Sequence, residues 1–299
     1  MKYSIVFIVN PRSGTQRAKE VHKYIDKYLD KERFNFSVIS TEYRGHGKEI
    51  AAKCVKDKVK IIVSVGGDGT LFDILQSVVN SSVMIAVWPY GSGNGVARSL
   101  QLSFKAKDVL QGINSMQSML IDIGKANQYY FTSNFGLGFD AMVSKSFVHS
   151  KKRGFFTYLK LILKLLPGFK SENLQFFEGN KRFDFSKVFI LNAANMKQLG
   201  YDFEIAPLAD CKDGELNITL IKSFPLLMAP ILALYAFFKK IHKSPYVKTF
   251  TSAAFIIKGL ESEGMQLDGE YIPLTAIEKE TLKVEVIPQA IRLIKSNRY

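Results

Sequence analysis

Residues 61–70 read I-I-V-S-V-G-G-D-G-T, an apolar run that breaks into three glycines around one carboxylate. Ile61, Ile62, Val63 and Val65 are β-formers bounded by charge on one side and glycine on the other, and they predict a buried strand. After Thr70 the apolar residues Leu71, Ile74, Leu75 and Val78 fall at the spacing of one helical face. The unit is therefore strand, turn, helix. At such a turn, bare backbone N–H groups and the positive helix end hold phosphate. Gly66, Gly67 and Gly69 let a ligand approach the backbone closely. Asp68 repels phosphate, so its place here makes sense where a metal ion or a reacting hydroxyl stands between them. Taken alone, the same five residues also describe a plain tight turn.

Two more turns of this kind flank the first. Residues 84–88 form a second apolar run, followed by P-Y-G-S-G-N-G-V-A-R at 89–98. There Gly91, Gly93 and Gly95 leave little side chain, while Ser92 and Asn94 offer hydrogen bonds. At the N-terminus V-F-I-V-N-P-R-S-G-T (residues 6–15) is again strand then turn, with Asn10, Ser13 and Gly14 just past the strand. Three parallel-type strands thus end in three polar, glycine-bearing loops. In an open α/β sheet such loops gather at the carboxyl edge, where ligands bind.

The texture of the chain changes near residue 123. Residues 1–122 alternate strand and helix, as an α/β nucleotide-binding domain does. Beyond them short apolar segments recur at 129–133, 187–192, 216–221, 249–257 and 282–287, which predicts a β-rich, antiparallel, sandwich-like domain over 123–288. A length of 299 residues suits two domains, and 47% hydrophobic residues supply their cores. Cys54 and Cys211 lie far apart without metal-ligand spacing and read as reduced thiols of a cytoplasmic protein. The N-terminus enters a strand directly, so no signal peptide is expected.

A net charge of +14 calls for an anionic partner, either nucleic acid or anionic lipid. No nucleic-acid motif accompanies it, and the charge sits beside long apolar runs. Residues 151–170 read K-K-R-G-F-F-T-Y-L-K-L-I-L-K-L-L-P-G-F-K. Phe155, Tyr158, Leu159, Ile162, Leu163 and Leu166 share one helical face, Lys160 and Lys164 another, and Lys151, Lys152 and Arg153 precede them. That pattern fits a helix lying in a membrane interface, with Phe156 joining its apolar face, and equally a surface helix packed on its own domain. Residues 224–238 are uncharged, carry Pro225 and Pro230, and are too short for a confident span. They predict a helix that is part core and part membrane-facing.

N-P-x-S-G, then G-G-D-G-T, then G-S-G-N, in this order, resemble the diacylglycerol kinase catalytic family, which includes bacterial diacylglycerol kinases and the sphingosine and ceramide kinases. T-E-Y-R-G-H-G-K-E-I-A (41–51), A-D-C-K-D-G-E-L (209–216) and M-Q-L-D-G-E (265–270) extend the resemblance over nearly the whole chain. It implies ATP as phosphoryl donor, magnesium, and a lipid hydroxyl as acceptor, most simply diacylglycerol giving phosphatidic acid. It also implies return of the C-terminal segment 289–299 to the first domain. Carried onto matching positions, the nucleotide falls to Asn10, Thr41, Gly66, Gly67, Gly69, Thr70, Gly91, Ser92 and Asn94. Asp268 is the expected general base with Glu270 beside it, and Asp68 is the competing assignment. Asp268-Gly269 alone reads as a hairpin turn. A structural magnesium would take the Asp213 carboxylate with carbonyls of Asp210 and Glu215. The lipid implies peripheral attachment to an anionic membrane surface, and pairing with a second copy is left open.

Two departures shape the reading. Many diacylglycerol kinases carry Asp after G-x-x-N, where this chain has Gly95. The acidic residue that sphingosine kinases place after G-F-x-A is absent, leaving Met142 and Ser144, with Asp140 inside the motif itself. Sphingoid-base or ceramide kinases, NAD kinases, which share G-G-D-G-T, and a non-catalytic membrane-surface regulator are the alternatives. Gly136, Gly138 and Ala141 match G-x-G-x-x-A, but no acidic residue follows at the ribose position, so no dinucleotide site is expected there.

Overall fold

A computed structural model describes residues 2–13, 20–148, 150, 154–200 and 203–296. The chain runs β1 (Tyr3–Val9), α1 (Val21–Tyr28), β2 (Phe34–Ser40), α2 (His46–Lys56), β3 (Ile61–Gly66), α3 (Asp68–Val78), β4 (Met84–Pro89), α4 (Gly95–Ser99) and α5 (Ala106–Ser115). It continues through β5 (Ser118–Ala126), β6 (Tyr129–Phe131), β7 (Asn134–Gly138), α6 (Phe139–Val148), α7 (Phe155–Leu165), β8 (Glu172–Glu178) and β9 (Lys181–Ala194). The remainder is β10 (Gln198–Gly200), β11 (Phe203–Glu204), β12 (Leu216–Lys222), α8 (Ala229–Phe237), β13 (Val247–Ser252), β14 (Ala254–Lys258), β15 (Gly264–Leu267), β16 (Glu270–Pro273), α9 (Ala276–Glu280) and β17 (Leu282–Ile294). Two compact units result: Met1–Ile123 with Pro288–Tyr299, and Gly124–Ile287.

In the first unit the strands lie in the order β2-β1-β3-β4, all parallel, and Arg292 and Leu293 of β17 add beside β4. Every residue of β3 and β4 is buried, as a parallel sheet covered on both faces requires. Alternate residues face opposite ways. Phe7, Val63, Val65, Ala86 and Trp88 join Val21 and Ile25 of α1 and Val109, Leu110 and Ile113 of α5 in one cluster. Trp88, the sole tryptophan, sits at its centre, with ring centroids 6.3 Å from Phe7 and 5.6 Å from Tyr90. The helical face expected after Thr70 is there: Leu71, Ile74, Leu75 and Val78 are buried on α3.

The second unit is antiparallel. Its strands follow β16-β15-β7-β9-β8-β14, with the first half of β17 next to β14 and with β12 and β13 extending from β9. The apolar segment expected at 249–257 is two strands, β13 and β14, broken at Ala253, whose carbonyl instead accepts the Val286 N–H. Gly136 and Gly138 lie in β7, paired with β9 and β15, so the G-x-G-x-x-A match belongs to an antiparallel sheet. Beside this sheet Tyr158, Leu161, Ile162 and Leu165 of α7 pack with Phe139, Phe189, Ile221, Ala236 and Ile241.

α7 is apolar on both sides, which revises the single face read from the sequence. Tyr158 and Ile162 point into the core, whereas Phe156, Leu159 and Leu163 are exposed. The Phe155 side chain and residues Lys151, Lys152 and Arg153 lie outside the described set, as does Gly14. α8 repeats the arrangement: Leu232 and Ala236 are buried, while Ile231, Leu234, Phe237 and Phe238 are exposed. Among the described residues no helix is long and apolar enough to cross a membrane.

Candidate functional site

In the first unit the glycine loops meet through backbone and one carboxylate. β3 ends at Gly66, and α3 begins at Asp68. The Asp68 carboxylate reaches the other loop, where Oδ2 accepts the Gly95 N–H at 3.1 Å and Oδ1 the Val96 N–H at 3.4 Å. Burial pushes the Asp68 carboxyl above the ordinary carboxylate value, while these backbone donors pull it down. The 89–98 loop turns through Asn94 in the left-handed region (φ +50°). The Asn94 side chain closes the loop on itself, accepting the Gly91 N–H at 3.0 Å and donating to the Gly91 carbonyl at 2.6 Å.

The two turns pack so closely that side chains are excluded. A methyl group on Gly91 would sit 2.5 Å from the Gly67 Cα and 2.8 Å from Asn94 Oδ1. The third loop joins through Asn10, whose N–H donates to the Val65 carbonyl at 2.9 Å and whose Nδ2 donates to Thr70 Oγ1 at 3.3 Å. Thr41 follows β2, its N–H on the Val9 carbonyl at 2.8 Å. The structure thus links Asn10, Gly67, Asp68, Thr70, Gly91 and Asn94 directly. Gly66 and Gly69 lie in the same turn, and Ser92 stands exposed in its loop. Thr70 and Asn94 are buried and serve the loops' own hydrogen bonds.

In the second unit the 265–270 segment is a two-residue hairpin. Leu267 pairs with Glu270, and Asp268 and Gly269 take φ +51° and +83°, both left-handed as a type I′ turn demands. The Asp268 carboxylate folds onto the chain before β7. Oδ2 accepts the Thr132 N–H at 2.7 Å and the Thr132 hydroxyl at 2.8 Å; Oδ1 accepts the N–H groups of Ser133 at 2.7 Å and Asn134 at 3.1 Å. Burial pushes this carboxyl up to about 6, against the pull of its donors. Four donors occupy both oxygens, so taking a proton from a substrate would break one of these bonds. Glu270, half-buried, opens β16 one residue past the turn.

The 209–216 loop is a tight turn. Asp213 Oδ1 accepts the Glu215 N–H at 2.9 Å, the Asp210 carbonyl faces the Asp213 N–H at 3.4 Å, and Gly214 is left-handed at φ +76°. Among the described residues no three His, Cys, Asp or Glu side chains gather as a metal cluster. A cation here would rest on the Asp213 carboxylate and backbone carbonyls, an all-oxygen set suited to a hard ion.

Sequence reasoning missed the partners of Asp268. Thr132, Ser133 and Asn134 lie 134–136 residues away from it in the chain. Gln266 was also missed; its Oε1 accepts the Gly269 N–H at 2.8 Å. The interlocked glycine turns yield a direct expectation. Gly91→Ala should weaken ATP binding at least tenfold by calorimetry while the protein still folds, because its methyl can be housed only by driving the two turns apart. Wild-type affinity in that variant would show that the turns do not shape the nucleotide site.

Comparison with known proteins matches both units. Residues 4–126 match the diacylglycerol kinase catalytic domain, and residues 133–295 match the YegS C-terminal NAD kinase beta sandwich-like domain. A diacylglycerol kinase of Staphylococcus aureus (strain bovine RF122 / ET3-1) is 26% identical over 270 residues, covering 88% of this chain and 85% of its own. A diacylglycerol kinase of Staphylococcus saprophyticus is 23% identical over 268 residues, covering 88% of each chain. A crystal structure of a diacylglycerol kinase from Bacillus anthracis shares the fold, with a TM-score of 0.69 at 17% identity over 98% of this chain and 96% of that one. With both of its units matched, the chain belongs to the diacylglycerol kinase catalytic family, the lipid kinases built from an α/β nucleotide domain and a β-rich second domain.

Proposed function

We propose that this kinase transfers the γ-phosphoryl group of ATP to the hydroxyl of diacylglycerol, giving phosphatidic acid. The observation that carries the reading is the pair of glycine turns locked through Asp68, with exposed Ser92 and the polar residues Asn10 and Thr41 at the ends of neighbouring strands. Phosphoryl transfer asks the protein for little covalent work; it needs held phosphates, neutralised charge and a positioned acceptor. Magnesium supplies charge neutralisation when bound with ATP. The acceptor oxygen forms the new bond to phosphorus, the bond to the β-bridging oxygen breaks, and ADP leaves with that electron pair.

The acceptor's proton goes to Asp268, the base that the Asp-Gly-Glu resemblance implies, with Glu270 beside it and Asp68 as the competing assignment. Asp68 holds the Gly95 and Val96 N–H groups, and Asp268 holds four donors, one of which yields as the proton arrives. The preference for a neutral lipid rests on Asp140. It is the only carboxylate between Gly136 and Phe169, and it is buried, bonded to Gln266 at 2.8 Å. It is not presented to a cationic amine such as a sphingoid base carries.

The lipid reaches the protein from a membrane surface, to which the second unit attaches peripherally. Exposed Phe156, Leu159 and Leu163 of α7 and Leu227, Leu234 and Phe237 at α8 form the apolar contact. Charge favours an anionic bilayer: residues 141–171 and 216–260 contain no Asp or Glu, while Lys160, Lys164, Lys240 and Lys243 stand exposed. Each basic side chain near such a surface contributes about 1 kcal/mol, and the apolar face adds a salt-resistant part.

A panel of labelled-ATP assays with diacylglycerol, ceramide, a sphingoid base and NAD tests the substrate, and one variant tests the base. Asp268→Asn should lower turnover on diacylglycerol roughly a hundredfold or more, and lower the melting temperature too, because an amide turns a donor toward the N–H groups that hold the turn. Label appearing in NAD alone, or full turnover by Asp268→Asn, contradicts the reading. A structural magnesium at the 209–216 loop is a further part of the proposal. Magnesium should raise the wild-type melting temperature, and Asp213→Ala should remove most of that rise, as expected for a ligand bound only by the folded state. Equal magnesium shifts in both proteins would exclude it.

A further inference from the structure

Two of the loops at the carboxyl edge of the first sheet contain an aromatic ring. Tyr43 follows β2 and Tyr90 follows β4, while the loops after β1 and β3 have none. Tyr90 packs against the core, its ring centroid 5.6 Å from that of Trp88. Tyr43 is 51% exposed. Its ring lies flat on His46 at the start of α2, with centroids 4.6 Å apart and planes 7° from parallel.

The pair is held from several directions. The Tyr43 hydroxyl donates to Glu49 Oε2 at 2.7 Å, and His46 Nδ1 accepts the Glu42 N–H at 3.2 Å. Gly45, left-handed at φ +88°, donates its N–H to Asp73 Oδ2 of α3 at 3.1 Å. Thr41, two residues before Tyr43, is fixed to the end of β1 through the Val9 carbonyl. A stack fixed in this way loses little conformational freedom when a ligand arrives. With its hydroxyl engaged by Glu49, the ring presents outward a flat, uncharged face.

Position gives that face a use. The strands run β2, β1, β3, so the loop after β2 stands two strand spacings, about 10 Å, along the carboxyl edge from the glycine turn after β3. That interval is the scale of a ribose with its phosphates, and Asn10 at the end of β1 lies within it. In the other direction the loop after β4 is itself the second glycine turn, and its ring is turned into the core. We infer that the Tyr43–His46 stack is the platform on which the adenine ring of ATP lies, and that Tyr43 is a determinant of nucleotide affinity. The inference rests on the reading of the glycine turns as the phosphate site. A base stacked on an aromatic side chain gains about tenfold in affinity. The base is remote from the reacting phosphorus, so its contact is the same in the bound state and the transition state. It therefore acts on the ATP KM and not on kcat.

The triphosphate of 2-aminopurine riboside reads the contact in the full chain without turnover, since its emission is quenched when the base stacks on an aromatic ring. Emission should fall on binding to the wild type and to Tyr43→Phe, which keeps the ring, and should persist in the complex with Tyr43→Ala. In turnover assays on whichever lipid the wild type phosphorylates, Tyr43→Ala should raise the ATP KM about tenfold and leave kcat within about twofold of the wild type. Unquenched binding by the wild type, or equal quenching in Tyr43→Ala, overturns the platform alone. So does a wild-type ATP KM in Tyr43→Ala, or a fall in its kcat at saturating ATP in place of the KM rise, which would give Tyr43 a role in shaping the loops. Absence of ATP binding by the wild type in calorimetry overturns the phosphate-site reading and the platform with it.

Discussion

The contact between the Asp68 carboxylate and the N–H groups of Gly95 and Val96 is the interaction on which the nucleotide half depends. Two loops made mostly of glycine have little to hold their shape, since glycine loses more conformational freedom on ordering than any other residue. One carboxylate, placed at the first turn of α3, bonds across to the second loop. Close packing of Gly67 on Gly91 leaves only backbone between them. Buried Trp88 and Phe7 form the rigid floor beneath. A phosphate-binding surface needs bare N–H groups that do not collapse onto one another, and a single charged acceptor between the loops supplies that restraint. At Gly95 the chain offers its backbone N–H to Asp68 and brings no second carboxylate beside it.

The second unit applies the same logic to a hairpin. The Asp268 carboxylate holds the chain at 132–134, and Gln266 holds the next residue of the turn. The neighbouring helices are amphipathic in an unusual sense, for α7 and α8 carry apolar residues on both sides. One side completes a core around Phe139 and Phe189, and the other stands in the open beside lysines with no carboxylate near in sequence.

The parts of the fold legible in the sequence were those whose cause is local. Each strand–glycine turn–helix unit of the first domain announces itself within about ten residues, and the face Leu71, Ile74, Leu75, Val78 follows from helical spacing alone. The six motifs likewise identified the family before any geometry. What stayed hidden depends on distant partners. Nothing near Asp268 tells that Thr132, Ser133 and Asn134 will meet both its oxygens. The face of α7 could not be read because hydrophobicity does not say which apolar side is covered. The glycines of β7 suggested a dinucleotide turn; Gly136 is there to make room for Asp140 and Gln266, and Gly138 because its φ is +78°.

The loop-locking role of Asp68 is tested most directly by calorimetric ATP titration of Asp68→Asn alongside its turnover on diacylglycerol. The amide keeps the shape but puts a donor against a backbone N–H and removes the charge; charge-assisted bonds of this kind contribute about 1.5–3 kcal/mol. The account predicts ATP affinity weaker by roughly tenfold or more, faster amide exchange at residues 91–96, and turnover reduced at least as much. Wild-type affinity and wild-type turnover in a folded Asp68→Asn protein would contradict it.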